Sequence, residues 1–528
     1  MHMKTRFSFV LGMLLACQII LAEEVHITIT NPETWTTDEL TPYVGKTVIF
    51  DSPLIIADNN VSSSSITVSP RMLFTPVNQA FPRTTANRTV ASMNSKGAMT
   101  LSGLSNAYSY RCRGKVYNLK AKVNSTTSLT WQDKSGKWVG ETRSYLESHF
   151  PELGDYRLLV CAMNIENYFI ANGLHSRQRD KVINAMAFIN ADIYGLIEME
   201  GGSDGVQEVT TYLNTALKSK NREYKYIGVN TSSKNTDQTV VYVYDSKKVK
   251  PRWEVQDNPT RTSFRKEMLY FEEIETGELF LYSLNHFKAK TGNGTGTNAN
   301  QNDGQGAWNA DRVEEAQSVI TMYKRLIPSS KDHDILIMGD LNAYGKEDPI
   351  KLLLENGMID LHRAYHADSS YSYQYSGLAG YLDHALCNST LYPQITGMAA
   401  LHINSDENDR YTYDKSSGDN TMFRCSDHDP VLVGLKLDHT TVYEPKPEVN
   451  SMEILQGRAN QLFISAAYTA DEEGQNSYYA IYDVSGRPIQ SARIENAYQA
   501  VDLPSAPGVY ILYVYFDSKV YPYKFIVR

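Results

Sequence analysis

Cysteine is scarce in this chain, with five in 528 residues, and one of them, Cys17, lies inside the first apolar stretch. The other four, Cys112, Cys161, Cys387 and Cys425, have a spacing that predicts no disulfide framework. A small cross-linked scaffold is therefore excluded, and these thiols either pair singly or pack. A surplus of positive charge is also missing: 51 Lys and Arg stand against 60 Asp and Glu, giving a net charge of −9 and a pI near 5.8. Nothing global attracts a polyanion, so any capture of one must be local or metal-mediated. After Ala22 no stretch is long and apolar enough to span a membrane. Ahead of it, Lys4 and Arg6 precede the apolar run Phe7 to Ala22, and Glu23-Glu24 follow, the layout of a secretory signal cleaved after Ala22. Leu14-Leu15-Ala16-Cys17 loosely resembles a lipoprotein processing site, but the apolar run continues beyond it. Composition is otherwise ordinary for globular domains, 42% hydrophobic and 21% charged, and the length exceeds what one core holds. Two or three domains are expected.

What is present is a repeated junction between apolar runs and polar groups. Ile335-Leu336-Ile337-Met338 reads as a strand covered on both faces, and Gly339 lets the backbone turn where Asp340 and Asn342 emerge. Leu158 to Met163 leads into Asn164 and Glu166, Ile193 to Ile197 into Glu198, and Leu279 to Leu284 into Asn285 and His286. Asp383-His384 precedes Ala385-Leu386, and Asp427-His428-Asp429-Pro430 precedes Val431-Leu432-Val433. Such repetition points to one shared rim. Oxygen donors of this kind suit Mg²⁺, which keeps several waters and takes one or two protein carboxylates, with Glu198 the first choice of ligand. Hydrolysis of a phosphate ester needs a base, cationic or hydrogen-bonding groups and a metal, and His286 and His428 with Asp340 and Asp383 supply those types. Taken alone, each element has a bland reading: Asp383-His384 as a strand cap, Glu200 as a solvated carboxylate, His362, His366, His384 and His402 as packing or surface groups. Gly292 to Gln305 reads either as a flexible surface insertion or as a mobile substrate-side flap.

Met163-Asn164-Ile165-Glu166-Asn167, Gly195-Leu196-Ile197-Glu198, Asn285-His286-Phe287-Lys288, Gly339-Asp340-Leu341-Asn342, Leu382-Asp383-His384 and Ser426-Asp427-His428-Asp429-Pro430 resemble, in kind and order, the motif set of the endonuclease/exonuclease/phosphatase family. The runs Asp303 to Ala310 and Asn342 to Pro349 are similar to its secreted bacterial extracellular nuclease branch. The resemblance spans roughly residues 155–437. It implies that Glu198 ligates Mg²⁺, with Mn²⁺ an alternative and Ca²⁺ only a structural ion, and that Glu166 and Asp427 are further ligands. Glu166 departs from the Asp of other members. It further implies that Asp340 and Asn342 orient the attacking water, that Asp383 and His428 form an acid/base or phosphate-stabilising dyad, and that His286 is a second phosphate-facing histidine. Asn164 and Asn285 would bind substrate, with Arg265 a candidate for the clamping arginine.

The implied fold class is α/β, a two-sheet α/β sandwich flanked by small all-β N- and C-terminal domains. Because Asp383 and His428 lie before their strands while the other groups lie after theirs, the sheets must contain antiparallel neighbours. Val182, Ile183, Met186 and Ile189 mark one covering helix, and Val313, Ala316, Ile320, Tyr323 and Ile327 another, capped by Asn309. The expected division is 1–22 signal peptide, 23–122 small OB-like β domain, 123–154 linker, 155–438 catalytic domain, 439–450 linker and 451–528 a β-sandwich. The N-terminal domain reads as a spacer or a single-strand binder. The C-terminal one resembles the sorting domains of the bacterial type IX secretion system, which would make outer-membrane secretion machinery a partner and the cell surface a destination. The leading function is a secreted nuclease acting on DNA or RNA. The alternatives are a phosphodiesterase or phosphatase on phospholipid or inositol phosphate head groups, and an inactive surface binding protein.

Overall fold

The computed structural model describes residues 24–133, 136–228, 237–255, 265–326 and 332–438, and near the C-terminus 452–456, 462–466, 478–494, 498–516 and 519–527. The signal-like segment, Ile327 and the linker Glu444 to Glu448 lie outside the described residues.

The central region is a sandwich of two six-stranded sheets. In one, the order is Tyr224–Ile227, Gln238–Asp245, Ile193–Glu200, Leu158–Tyr168, Val431–Leu435 and Ile395–Ala400; in the other, Val249–Val255, Arg265–Glu273, Leu279–His286, Ile335–Asp340, Asp383–Asn388 and Met358–Asp360. Each sheet has one parallel pair at its centre, Leu158–Tyr168 with Ile193–Glu200 and Leu279–His286 with Ile335–Asp340, and antiparallel neighbours beyond. Groups that follow the parallel strands and groups that precede the antiparallel ones therefore reach the same edge. The register puts His286 beside Asp340 and Asp340 beside Asp383.

These strands are near-continuous apolar runs because both faces are covered. Val160, Ala162, Tyr242, Leu284, Met338, Ala385 and Val433 meet between the sheets. On the outer faces Val182 and Met186 of the helix His175–Ile189 cover one sheet, and Ala316 and Ile320 of the helix Asn309–Leu326 the other. Each Val, Ile, Leu or Met among them contributes roughly 1.5–3 kcal/mol on full burial. Asn309 is already inside its helix, and Val313 is only half-buried, because Arg312 and Glu315 take the inward positions at that end. No helix among the described residues is long and apolar enough to cross a membrane.

A nine-stranded sheet occupies the N-terminal region and runs through Val139, so Ser128–Trp131 and Lys137–Val139 belong to it and not to a linker. Both strands are too short to show alternation in the sequence. At the C-terminus a three-stranded and a four-stranded sheet share a core of Leu462, Ile464, Ile481, Leu512 and Phe525. Cys112, Cys161, Cys387 and Cys425 are all free and buried: they pack.

Candidate active site

Backbone irregularities deliver the polar groups. The strand Ile193–Glu200 slips register against its neighbour between Ile197 and Met199, and Glu198 sits in the slip with φ +65°. The strand Leu158–Tyr168 slips between Asn164 and Tyr168, with Glu166 and Asn167 both at φ +53°. Such bulges re-aim side chains that regular pleating would send elsewhere. Gly339, at φ +132°, is obligatory: a Cβ there would lie 2.0 Å from the carbonyl oxygen of Asn285.

Asp340 is the hub. Its Oδ2 accepts from the Asn164 amide at 3.1 Å and the Asn342 amide at 3.3 Å, and its Oδ1 accepts from the Asn342 backbone N–H at 2.9 Å. The same Asn164 amide donates to Glu198 Oε1 at 3.1 Å, while Glu198 Oε2 accepts from the Asn167 N–H at 2.9 Å. His286 Nε2 lies 3.7 Å from both Glu198 Oε1 and Asp340 Oδ2. On the other side His428 Nδ1 donates to Asp383 Oδ2 at 2.8 Å, leaving its Nε2 3.9 Å from Asp340 Oδ2. Asp383 Oδ2 also accepts from the Ser372 hydroxyl at 2.7 Å. Tyr373 lies with its ring centroid 4.6 Å from that of His428.

The electrostatics follow from this crowding. Burial opposes charge on His428, yet Asp383, Asp340 and Asp427 outweigh it and raise the imidazole well above its ordinary value. Asp340 is pushed up to about 7, first by burial and then by Asp383 and Glu198, against the counter-pull of His428. Glu166 is pushed up to about 8 by burial and by the like charge of Asp427, and one of its oxygens is buried with no hydrogen-bond partner.

Two groups could hold a cation among the described residues: Glu198, His286 and Asp340, and Asp340, Asp383 and His428, each with donor atoms within 4.8 Å of one another. Three carboxylates, Glu198, Asp340 and Asp383, converge here beside two imidazoles, and the oxygen-rich set fits a hard divalent ion.

Asn164, Glu198, His286, Asp340, Asn342, Asp383 and His428 thus come together, with Glu166 and Asp427 as an adjacent acidic pair. Asn285 does not join them. It lies on the opposite face of its strand from His286, and its amide donates to the Ser283 carbonyl and hydroxyl and the Met338 carbonyl. Arg265 pairs with His286 in the sheet, but its side chain lies outside the described residues. Among groups the sequence did not single out, Ser372 and Tyr373 touch the dyad from a hairpin whose only sequence signal is the alternation Tyr371-Ser372-Tyr373-Gln374-Tyr375. Arg424, at φ +56°, is a cation whose charge reaches Glu166, and it stands three residues before Asp427. The Gly292 to Gln305 segment is not a free insertion: Asn298 donates to Asp311 at 2.7 Å and Gln305 to Asp348 at 2.8 Å.

The two-sheet α/β sandwich thus carries a buried acid–imidazole centre at one edge. Residues 171–428 match the sequence profile of the Endonuclease/Exonuclease/phosphatase family. Similar solved structures include an endonuclease/exonuclease/phosphatase from Bacteroides vulgatus (16% identity, 53% of this chain and 99% of that one, TM-score 0.38). A mannosyl-6-phosphatase from Bacteroides thetaiotaomicron (18%, 53% and 100%, 0.38) and the human Nocturnin catalytic domain with bound sulfate (12%, 53% and 94%, 0.36) are others. No curated protein matches the sequence.

Proposed function

We propose that the protein is a secreted, metal-dependent nuclease that hydrolyses nucleic-acid phosphodiester bonds. The observation that carries the reading is the Asp340 hub, which has a carboxylate–histidine pair on one side and Glu198 with His286 on the other. Glu198, Asp340 and His286 would hold a divalent cation, Mg²⁺ or Mn²⁺, with Glu166 and Asp427 beside them. When bound, that ion supplies Lewis-acid polarisation of a phosphoryl oxygen and neutralises developing charge. Asp340 and Asn342, joined by the Asn342 N–H to Asp340 Oδ1 bond, orient the attacking water. His428, kept cationic by Asp383, presents Nε2–H to the phosphoryl group or the leaving oxygen. Asn164 bridges the two acidic groups, its amide donating to both Glu198 and Asp340.

The nuclease choice within the phosphate-ester class rests on the sequence runs Asp303 to Ala310 and Asn342 to Pro349. Export rests on the N-terminal signal-like segment, and display at the cell surface on the C-terminal β-sandwich. Incubating the purified protein with labelled DNA, RNA and sphingomyelin, with and without Mg²⁺, tests the reading. Cleavage of DNA or RNA only with metal is expected; hydrolysis of sphingomyelin alone, or of nothing, would overturn it.

A further inference from the structure

The dyad is backed by a hairpin that the N-terminal β domain holds in place. Tyr373–Tyr375 and Leu378–Gly380 form the two strands, joined at Ser376 (φ +50°) and Gly377 (φ +79°), the left-handed pair a two-residue turn requires. Ser372, at the hairpin's start, donates to Asp383, and Tyr373 lies against His428. Residues of the N-terminal domain complete this hairpin. The Ala379 N–H donates to the Leu73 carbonyl and its carbonyl accepts from the Thr75 N–H, both at 2.8 Å, so residues 73–75 act as a third strand. Arg113 donates to Gln374 Oε1 at 2.8 Å, lies over the Tyr371 ring at 5.2 Å and sits 3.7 Å from Asp406. Val77 is fully buried with Tyr344 and Leu382, and Tyr373 packs against the three.

We propose that the N-terminal β domain is a positioning element of the active site: through Arg113 and residues 73–77 it fixes the hairpin whose Ser372 and Tyr373 orient Asp383 and His428. This goes beyond a spacer, and it rests on the phosphate-ester reading of the site. A third strand and a guanidinium anchored in another sheet stop the hairpin from hinging about its own ends. A dyad whose two members both lean on that hairpin inherits its order.

The test uses the full chain and bis(p-nitrophenyl) phosphate, with Arg113→Ala, Gln374→Ala, the double variant and Gln374→Glu, which restores an acceptor for Arg113. Gln374→Ala should melt like the parent and Arg113→Ala somewhat below it, because buried Asp406 loses a partner; both should stay folded at the assay temperature, lose kcat roughly 10- to 100-fold with KM changed less than about threefold, and combine without further loss of kcat. Gln374→Glu should restore most of kcat. Amide exchange at 372–380 should quicken in the alanine variants, a readout that needs no turnover. Full kcat in folded Arg113→Ala, multiplicative losses in the double variant or unchanged exchange would overturn the proposal. A parent chain that hydrolyses no phosphate ester would instead sink the functional reading, and exchange alone would then decide whether the domain fixes the hairpin.

Discussion

Replacing Asp383 with Asn isolates the charge of the dyad from its shape. The side chains are isosteric, so His428 keeps a hydrogen-bond acceptor at Oδ1 and the packing of Ser372 and Tyr373 is undisturbed. What disappears is a buried charge-assisted hydrogen bond at 2.8 Å, worth roughly 1.5–3 kcal/mol, which corresponds to roughly a 10- to 160-fold loss of turnover. Asp340, 3.9 Å from the other ring nitrogen, continues to favour the cation and keeps the loss from growing further. His428→Ala removes the proton carrier and should cost roughly 100- to 10,000-fold. Because the residues act as one unit, the double variant should be little worse than His428→Ala. The assay is kcat at saturating substrate and Mg²⁺, with melting curves to show that the fold persists. Asp383→Asn at full activity, or losses that multiply in the double variant, would refute the dyad and leave Asp340 as the group that activates water unaided.

Chelation should abolish hydrolysis, and added Mg²⁺ or Mn²⁺ should restore it; full activity in excess chelator would end the metal mechanism. Glu198→Ala should weaken metal binding by at least about tenfold, measured by titration calorimetry, with melting preserved because Ala tolerates φ +65° no worse than Glu. Asp334, pushed up to about 7 by burial and by Asp332, holds its proton more tightly folded than unfolded, so its contribution is greatest below the ordinary carboxylate range and is lost as pH rises through 7. Asp334→Asn should therefore raise Tm at pH 8 by roughly 3–6 °C and leave it unchanged at pH 4, by differential scanning fluorimetry. A chain ending before Met452 should keep hydrolysis, since the last two sheets have their own core, but lose surface display, followed by whole-cell labelling.

Much of the sandwich was legible because strands buried on both faces are written as unbroken apolar runs, and the polar residue ending each run marks the shared edge. The same burial hides which face a residue takes: Asn285 and His286 are adjacent and equally apolar in their surroundings, yet point to opposite layers. The bulges at Glu166 and Glu198 leave no mark in composition, since they are properties of pairing between strands distant in sequence. Ser372 and Tyr373 were invisible for a related reason. They reach the dyad through a turn whose anchors, Leu73 and Arg113, lie some 260 to 300 residues upstream.

The paired slips at Asn164–Tyr168 and Ile197–Met199 set what kinds of genetic change this site can absorb. Swapping a side chain at Glu166 or Glu198 alters chemistry alone, but deleting Glu198 removes the one extra residue its bulge accommodates, and deleting Glu166 removes one of the two extra residues in its slip. The distal end of each strand would then be pulled back by one position and its inward and outward faces exchanged. In a scan of single-codon deletions these two short windows should be as intolerant as the hydrophobic centre of the sandwich, although both lie at a strand's end beside solvent, where loss of a residue is usually harmless.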